Sequence, residues 1–173
     1  MPSSPQILAL GEAMVEFNQA RPGEATWLQG FGGDTSNAVI AAARAGARTG
    51  YLTRGGDDAF GRMLLDLWAR EGVDTSAVEV VAGGETGLYF VSHGPQGHAF
   101  SYRRAGSAAA RMTPDWLTGA PLAALRDSQW LHVSGISMAI SPTACQTTLA
   151  AMRAARAAGV RVAFDSNLRL KLW

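Results

Sequence analysis

Residues 130–165 read WLHVSGISMAISPTACQTTLAAMRAARAAGVRVAFD, and they contain a complete strand–helix–strand unit. Trp130 to Val133 and Val160 to Phe164 are short apolar runs, the pattern of strands covered by helices on both faces of a parallel sheet. Between them, Ser141-Pro142 sets a good N-cap before proline at the first helical position, and Gly159 supplies the stop. Leu149, Met152 and Ala155 to Ala158 are spaced to face inward along that helix.

The same rhythm extends towards the N-terminus. Ile7 to Leu10 and Gly50 to Thr53 are two further buried-strand candidates. A helix follows each. The first is capped by Ser36 or Thr35, runs through Arg44 and has Gly46 just past its end. The second runs from about Ala59 to Arg70 with Gly72 as terminator, and its Leu64, Leu67 and Trp68 fall at i, i+3 and i+4 as an apolar stripe. Alternating strands and helices predict an α/β doubly wound, mostly parallel sheet with helices on both faces. Two segments, about 13–31 and 86–104, break the rhythm. Each has β-prone arms around turn residues, Arg21-Pro22-Gly23 in one and Gly94-Pro95-Gln96-Gly97 in the other, and each predicts an antiparallel hairpin. Together they predict a small antiparallel β lid inserted in the α/β domain.

A chain of 173 residues can bury a core without disulfides or metals. It is 47% hydrophobic and 17% charged, which fits a globular domain and excludes disorder. The net charge is +1 with no basic stripe, which argues against nucleic acid as a partner. No apolar run approaches the roughly 20 residues that span a bilayer, and the Met1-Pro2-Ser3-Ser4-Pro5 start has no basic n-region. The expectation is a cytoplasmic protein that contacts no membrane. Cys145 is the single cysteine, so no internal disulfide can form, and on an alanine-rich helix it reads as a small buried residue.

In open α/β sheets ligands bind beyond the carboxyl ends of the strands. Here those ends carry Gly11-Glu12, Arg54-Gly55-Gly56-Asp57, Ser134-Gly135 and Asp165-Ser166-Asn167, all glycine-rich or polar. Gly32-Gly33 feeds a helix start whose free N–H groups suit an anionic or hydroxyl-rich ligand, or form only a turn and cap. An aspartate after the glycines at the next helix start, Asp57 or Asp58, reads as a cap favoured by the helix dipole, or as a catalytic base. Tyr102 and Arg104 share one face of a lid strand, joined by Tyr89 of the partner arm. That face suits a carboxylate bearing hydroxyls, or it is a solvated cationic edge. Arg169 stands beyond the last strand with Asp165 and Asn167, placed for a phosphate or carboxylate, or for a salt bridge with Asp165. His93 and His98 flank a turn, His132 lies in a strand, and no metal-ligand spacing occurs.

These residues carry a resemblance. The glycine pair Gly32-Gly33, followed after three residues by Asn37, resembles the first signature of the ribokinase-like (PfkB) carbohydrate kinases. Arg54-Gly55-Gly56-Asp57-Asp58-Ala59-Phe60-Gly61 is similar to a helix-capping segment of the same family. Within it, Gly11-Glu12-Ala13-Met14-Val15-Glu16, the Tyr102/Arg104 pair and Asp165 to Trp173 resemble 2-keto-3-deoxygluconate kinases. Glu16 stands where many members that use neutral sugars carry Asp.

The resemblance implies a ribokinase-like fold and phosphoryl transfer from ATP, with Mg2+, to a small-molecule sugar acid. It implies that Gly33 and Asn37 touch sugar hydroxyls, that Tyr89, Tyr102 and Arg104 reach down from the lid, and that Arg104 pairs the carboxylate. Asn167 and Arg169 would lie near the transferred phosphate, and Arg103 has no role. It also implies homo-oligomers through the lid. No Gly-Ala-Gly-Asp segment, which holds the base in this family, occurs in the sequence. The expectation is therefore that 1–173 is the N-terminal part of one such domain, inactive alone, with no catalytic or metal-binding residue of its own and a base beyond Trp173. A fructokinase-like enzyme and a non-catalytic sugar-acid-binding fragment are the alternatives.

Overall fold

The computed structural model describes residues 4–173. Its central sheet is wholly parallel. The strands are β1 (Ile7–Leu10), β4 (Thr49–Gly56), β5 (Val73–Asp74), β6 (Val78–Val81), β9 (Trp130–Ser134) and β10 (Arg161–Asp165), ordered β10-β9-β1-β4-β5 with β6 also on β4. The first strand of the chain is thus central, with Ile7 opposite Thr49 on one side and Trp130 on the other.

Alternation of side chains across β1 divides the core in two. Leu8 and Leu10 point into a cluster with Leu52, Leu131, Val133, Leu125, Ala151 and Ala155. These bring α3 (Gly119–Asp127) and α5 (Pro142–Ala157) onto that face. Ala9 joins Tyr51, Val39, Ile40, Leu64 and Trp68 on the opposite face, under α1 (Asp34–Arg44) and α2 (Ala59–Arg70). Helices on both faces of a parallel sheet are what the apolar runs required.

The segments expected to form a lid make a second sheet of β2 (Met14–Gln19), β3 (Trp27–Gly32), β7 (Gly87–Gly94) and β8 (Gly97–Arg103), in the order β3-β2-β7-β8, called the lid sheet for its place in the chain. Each hairpin is antiparallel, and the two join through a parallel β2–β7 pair. Phe17 meets Phe60 of α2 edge-on, ring centroids 5.9 Å apart, which seats one lid face on the domain.

Three local readings change. Neither Thr35 nor Ser36 caps α1: the helix starts earlier, with Gly33 at the N-cap and no side-chain cap. Their hydroxyls are spent inside, Thr35 with the Tyr51 phenol at 3.0 Å and Ser36 as acceptor from the Trp68 indole at 2.8 Å. In α5 the buried stripe is Ala144, Thr147, Thr148, Ala151 and Ala155, while Ala157 and Ala158 are exposed. Ser141 caps that helix as expected, accepting from the Ala144 N–H. A further short helix, α4 (Gly135–Ala139), and the β5 and β6 strands have no clear sequence signal.

Candidate functional site

The carboxyl ends of β1, β4, β9 and β10 meet the start of α1, and backbones approach there closely. A Cβ on Gly11 would collide with the Thr35 and Ser137 hydroxyls, and one on Gly135 with the Ser166 carbonyl. Gly33 has φ +124°, and its Cβ would lie 2.6 Å from the Glu12 carbonyl and 2.9 Å from the Ala13 Cα. Both conformation and space demand glycine there. The Thr35 N–H donates to the Asp34 carboxylate at 2.9 Å, and Asn37 is exposed on the first turn of α1.

Residues distant in sequence converge on this helix start. Asn167 donates its side-chain amide to Asp34 at 3.1 Å, tying the loop after β10 to the first residue of α1. Asn167 itself has φ +30°, and its N–H donates to Asp165 at 3.0 Å. The alternative Arg169–Asp165 ion pair does not form among the described residues; Arg169 is exposed and reaches only the Leu168 carbonyl. Asn167 and Asp34 therefore connect the two motifs that the sequence placed at opposite ends of the chain.

The lid supplies an aromatic wall. Tyr89 and Tyr102 lie directly opposite on β7 and β8 and stack with centroids 5.9 Å apart. Tyr89 covers Gly32, where any Cβ would strike its ring. Its hydroxyl donates to the Glu16 carboxylate on β2. Burial, then this bond to a carboxylate, pushes the Tyr89 phenol well above its ordinary pKa, so it is a neutral donor at physiological pH. Glu16 also accepts from the Asn18 amide at 3.1 Å, and the Asn18 carbonyl lies 2.8 Å from His93 Nε2. His93 Nδ1 faces His98 Nδ1 at 2.7 Å. A chain of side-chain hydrogen bonds thus runs from the lid tip to Tyr89, along one face of the lid.

Arg104 follows β8 by one residue, with its guanidinium 5.9 Å from the Tyr102 ring. It does not stand free as a cationic edge. Its Nη2 pairs with Glu12, whose side chain is 1% exposed against 12% for Arg104. Glu12 Oε1 accepts from the Ser107 hydroxyl at 2.6 Å. Burial pushes the Glu12 carboxyl above its ordinary pKa, and the Arg104 charge and the Ser107 hydroxyl oppose that rise. The sequence marks Glu12 as a polar strand end and as part of the Gly11–Glu16 stretch that carries the family resemblance, with no role attached. Its partners lie far along the chain, and no local pattern signals them.

Other marked residues resolve structurally. Asp58 caps α2, accepting from the Gly61 N–H at 2.7 Å. Asp57 is exposed beside Arg62. Cys145 is half-buried rather than buried, because the inward stripe of α5 passes through its neighbour Ala144, and His132 is half-buried too. Among the described residues no group of three or more His, Cys, Asp or Glu could hold a metal ion. Nor is any helix there long and apolar enough to cross a membrane.

The signature of the pfkB family carbohydrate kinases matches residues 4–173. The chain is 36% identical to the 2-dehydro-3-deoxygluconokinase of Escherichia coli K12, over 98% of this chain and 56% of that protein. It is 37% identical to a fructokinase of Klebsiella pneumoniae, over 97% of this chain and 52% of that one. A crystal structure of a PfkB protein from Polaromonas sp. JS666 superposes with TM-score 0.91 at 34% identity, covering 98% of this chain and 58% of that chain. The fructokinase of Xylella fastidiosa with bound ATP gives TM-score 0.87 at 32% identity, covering 96% and 50%. The chain spans about half the length of the curated relatives it matches. With a matching signature over nearly every residue, a parallel sheet covered on both faces and a second, four-stranded sheet, this chain belongs to the pfkB family of carbohydrate kinases.

Proposed function

We propose that these residues form the sugar-binding part of a 2-keto-3-deoxygluconate kinase, which transfers the terminal phosphoryl group of ATP to the 6-hydroxyl of the sugar acid. The observation that carries the reading is the placement of Tyr89, Tyr102 and Arg104 on one lid wall over the Gly32-Gly33 turn. Gly33 and Asn37 at the start of α1 offer close backbone approach and an amide to sugar hydroxyls. Tyr89 donates to an oxygen or accepts from a hydroxyl, and Arg104 meets the carboxylate with charge-assisted hydrogen bonds. Asn167, tied to α1 through Asp34, and the exposed Arg169 two residues on would take the incoming phosphate. Positioning and electrostatics carry most of the catalysis in such transfers.

Under this reading ATP is the phosphoryl donor, and Mg2+ accompanies it without a ligand set among the described residues. No residue of this chain is assigned as the base that takes the hydroxyl proton, and 1–173 by itself is expected not to turn over. An ATP-dependent kinase works where ATP is available, so the proposed activity is a cytoplasmic one.

A neutral sugar such as fructose is the second reading. One feature favours it: Arg104 already has Glu12 as a counter-ion, which weakens its pull on a substrate carboxylate. A coupled assay with the complete kinase decides between them. A higher kcat/KM on 2-keto-3-deoxygluconate than on fructose is expected. Arg104→Ala is expected to lower the sugar-acid value by about 2–5 kcal/mol more than the fructose value, since any loss from stranding the Glu12 carboxylate is common to both substrates. Preference for fructose in the parent enzyme, or an unchanged ratio in the variant, sinks the sugar-acid assignment.

A further inference from the structure

Glu12 stands just past the carboxyl end of β1 in a cage that leaves it no alternative position. Its side chain is 1% exposed. Ser107 donates to Oε1 at 2.6 Å, and a Cβ built on Gly87, the first residue of β7, would come within 2.7 Å of the same oxygen. Oε2 has no hydrogen-bond partner within good geometry and only the Arg104 Nη2 beside it. Were Arg104 to swing away towards a ligand, a buried carboxylate oxygen would lose its one cation, an arrangement that folded proteins avoid. Arg104 must therefore serve any ligand from where it stands. Its Nε is buried without a partner, a donor that the fold does not use.

We propose that Glu12 is a positioning and specificity residue for the sugar site. It clamps Arg104 through Nη2 and fixes the remaining N–H donors relative to the Tyr89–Tyr102 wall. Because β1 belongs to the rigid central sheet and Arg104 follows the lid, the clamp also sets how the lid wall sits over Gly33. The Ser107 hydroxyl holds the carboxylate from behind and gives the Ala110 N–H an acceptor at 3.1 Å, which fixes the loop between lid and core. The inference rests on the sugar-acid reading above. It adds that acid selectivity depends on a carboxylate that touches no substrate.

The test uses the complete kinase with Glu12→Gln and Glu12→Asp, each checked for its melting temperature. Glu12→Gln keeps the shape and the acceptor for Ser107 but removes the charge. It is expected to raise KM and the calorimetric Kd for 2-keto-3-deoxygluconate about tenfold or more, with kcat and the KM for ATP and fructose changed by less than about threefold. Glu12→Asp, which keeps the charge, is expected to recover part of the loss. Equal losses on acid and neutral sugars would mark Glu12 as structural only, and tighter acid binding by Glu12→Gln would mean that it competes with substrate; either result overturns the proposal. If Glu12→Gln does not fold, Ser107→Ala replaces it, and an unchanged acid-to-neutral ratio there is equally fatal. Arg104→Ala separates the two levels. A ratio that falls in Arg104→Ala but holds in Glu12→Gln removes Glu12 alone, whereas a ratio that holds in both removes the sugar-acid reading itself.

Discussion

A single carboxylate at position 58 closes two segments of the chain at once. Asp58 accepts from the Gly61 N–H at the start of α2, and from both the N–H and the hydroxyl of Thr86 at 2.8 Å, just before the lid strand β7. Burial pushes its pKa up, but the hydrogen bonds from Gly61 and Thr86 outweigh burial and hold it below the ordinary value. A depressed folded-state pKa contributes stability above the unfolded pKa and loses it as pH falls through the folded value. Asp58→Ala is expected to cost about 1–2 kcal/mol near neutral pH in denaturant unfolding, and the gap to the parent is expected to shrink below about pH 4. A gap that persists unchanged at pH 3 contradicts this account. The cap is legible in the sequence because glycine, aspartate and an apolar period lie within a few residues. The Asp58–Thr86 bonds and the Glu12–Ser107–Arg104 cluster are not, since nothing in the sequence near 12 points to 104 or 107. Gly33, Tyr89, Tyr102, Arg104, Asn167 and Arg169 stand out by residue type and place along the chain, the likeness to a family pattern adds Asn37 and the proposed roles, and where each one lies comes from the topology.

At the scale of elements, α1 and α2 are locked by one polar bond inside an apolar layer. The Trp68 indole donates to the Ser36 hydroxyl at 2.8 Å, and the Trp68 ring packs 4.8 Å from Tyr51. Trp68→Phe keeps most of the packing and strands a buried hydroxyl, so about 1–2 kcal/mol of destabilisation is expected from thermal and denaturant melts. A loss of about 4 kcal/mol or more would show that ring volume, not the bond, dominates. The strands of the central sheet are legible to within a few residues, because a short run apolar on both faces fits few environments besides a covered parallel strand. The hydroxyl-bearing start of α1 misleads, because Thr35 and Ser36 are good caps by type but are drawn inward to satisfy Tyr51 and Trp68. The helix α3 is hidden by its Gly119-Ala120-Pro121 opening, where glycine adopts φ +52° and proline follows in the first turn. β5 and β6 are two and four residues long, too short to show a period.

At the scale of the molecule, β10 lies at one edge of the sheet with Phe164 half exposed, and Leu168, Leu170 and Trp173 beyond it are 59%, 81% and 63% exposed. An apolar parallel edge of this kind templates pairing with another chain. The 173-residue chain expressed as such is expected to elute with a mass above 18.2 kDa that grows with concentration, and Phe164→Glu is expected to reduce the growth. A monodisperse species of 18.2 kDa across a hundredfold range of concentration in light scattering would contradict it. The sheet order has another consequence, for the order of events on the ribosome. β1 precedes the other described strands and ends in the middle, between residues 49–52 and residues 130–132. At about 10 residues per second, synthesis leaves one flank of β1 without its partner for on the order of ten seconds after the other has emerged. During that interval Leu8 and Leu10 lack the part of their core that Leu131, Val133, Ala151 and Ala155 supply, so their apolar surface stays exposed until those residues leave the exit tunnel.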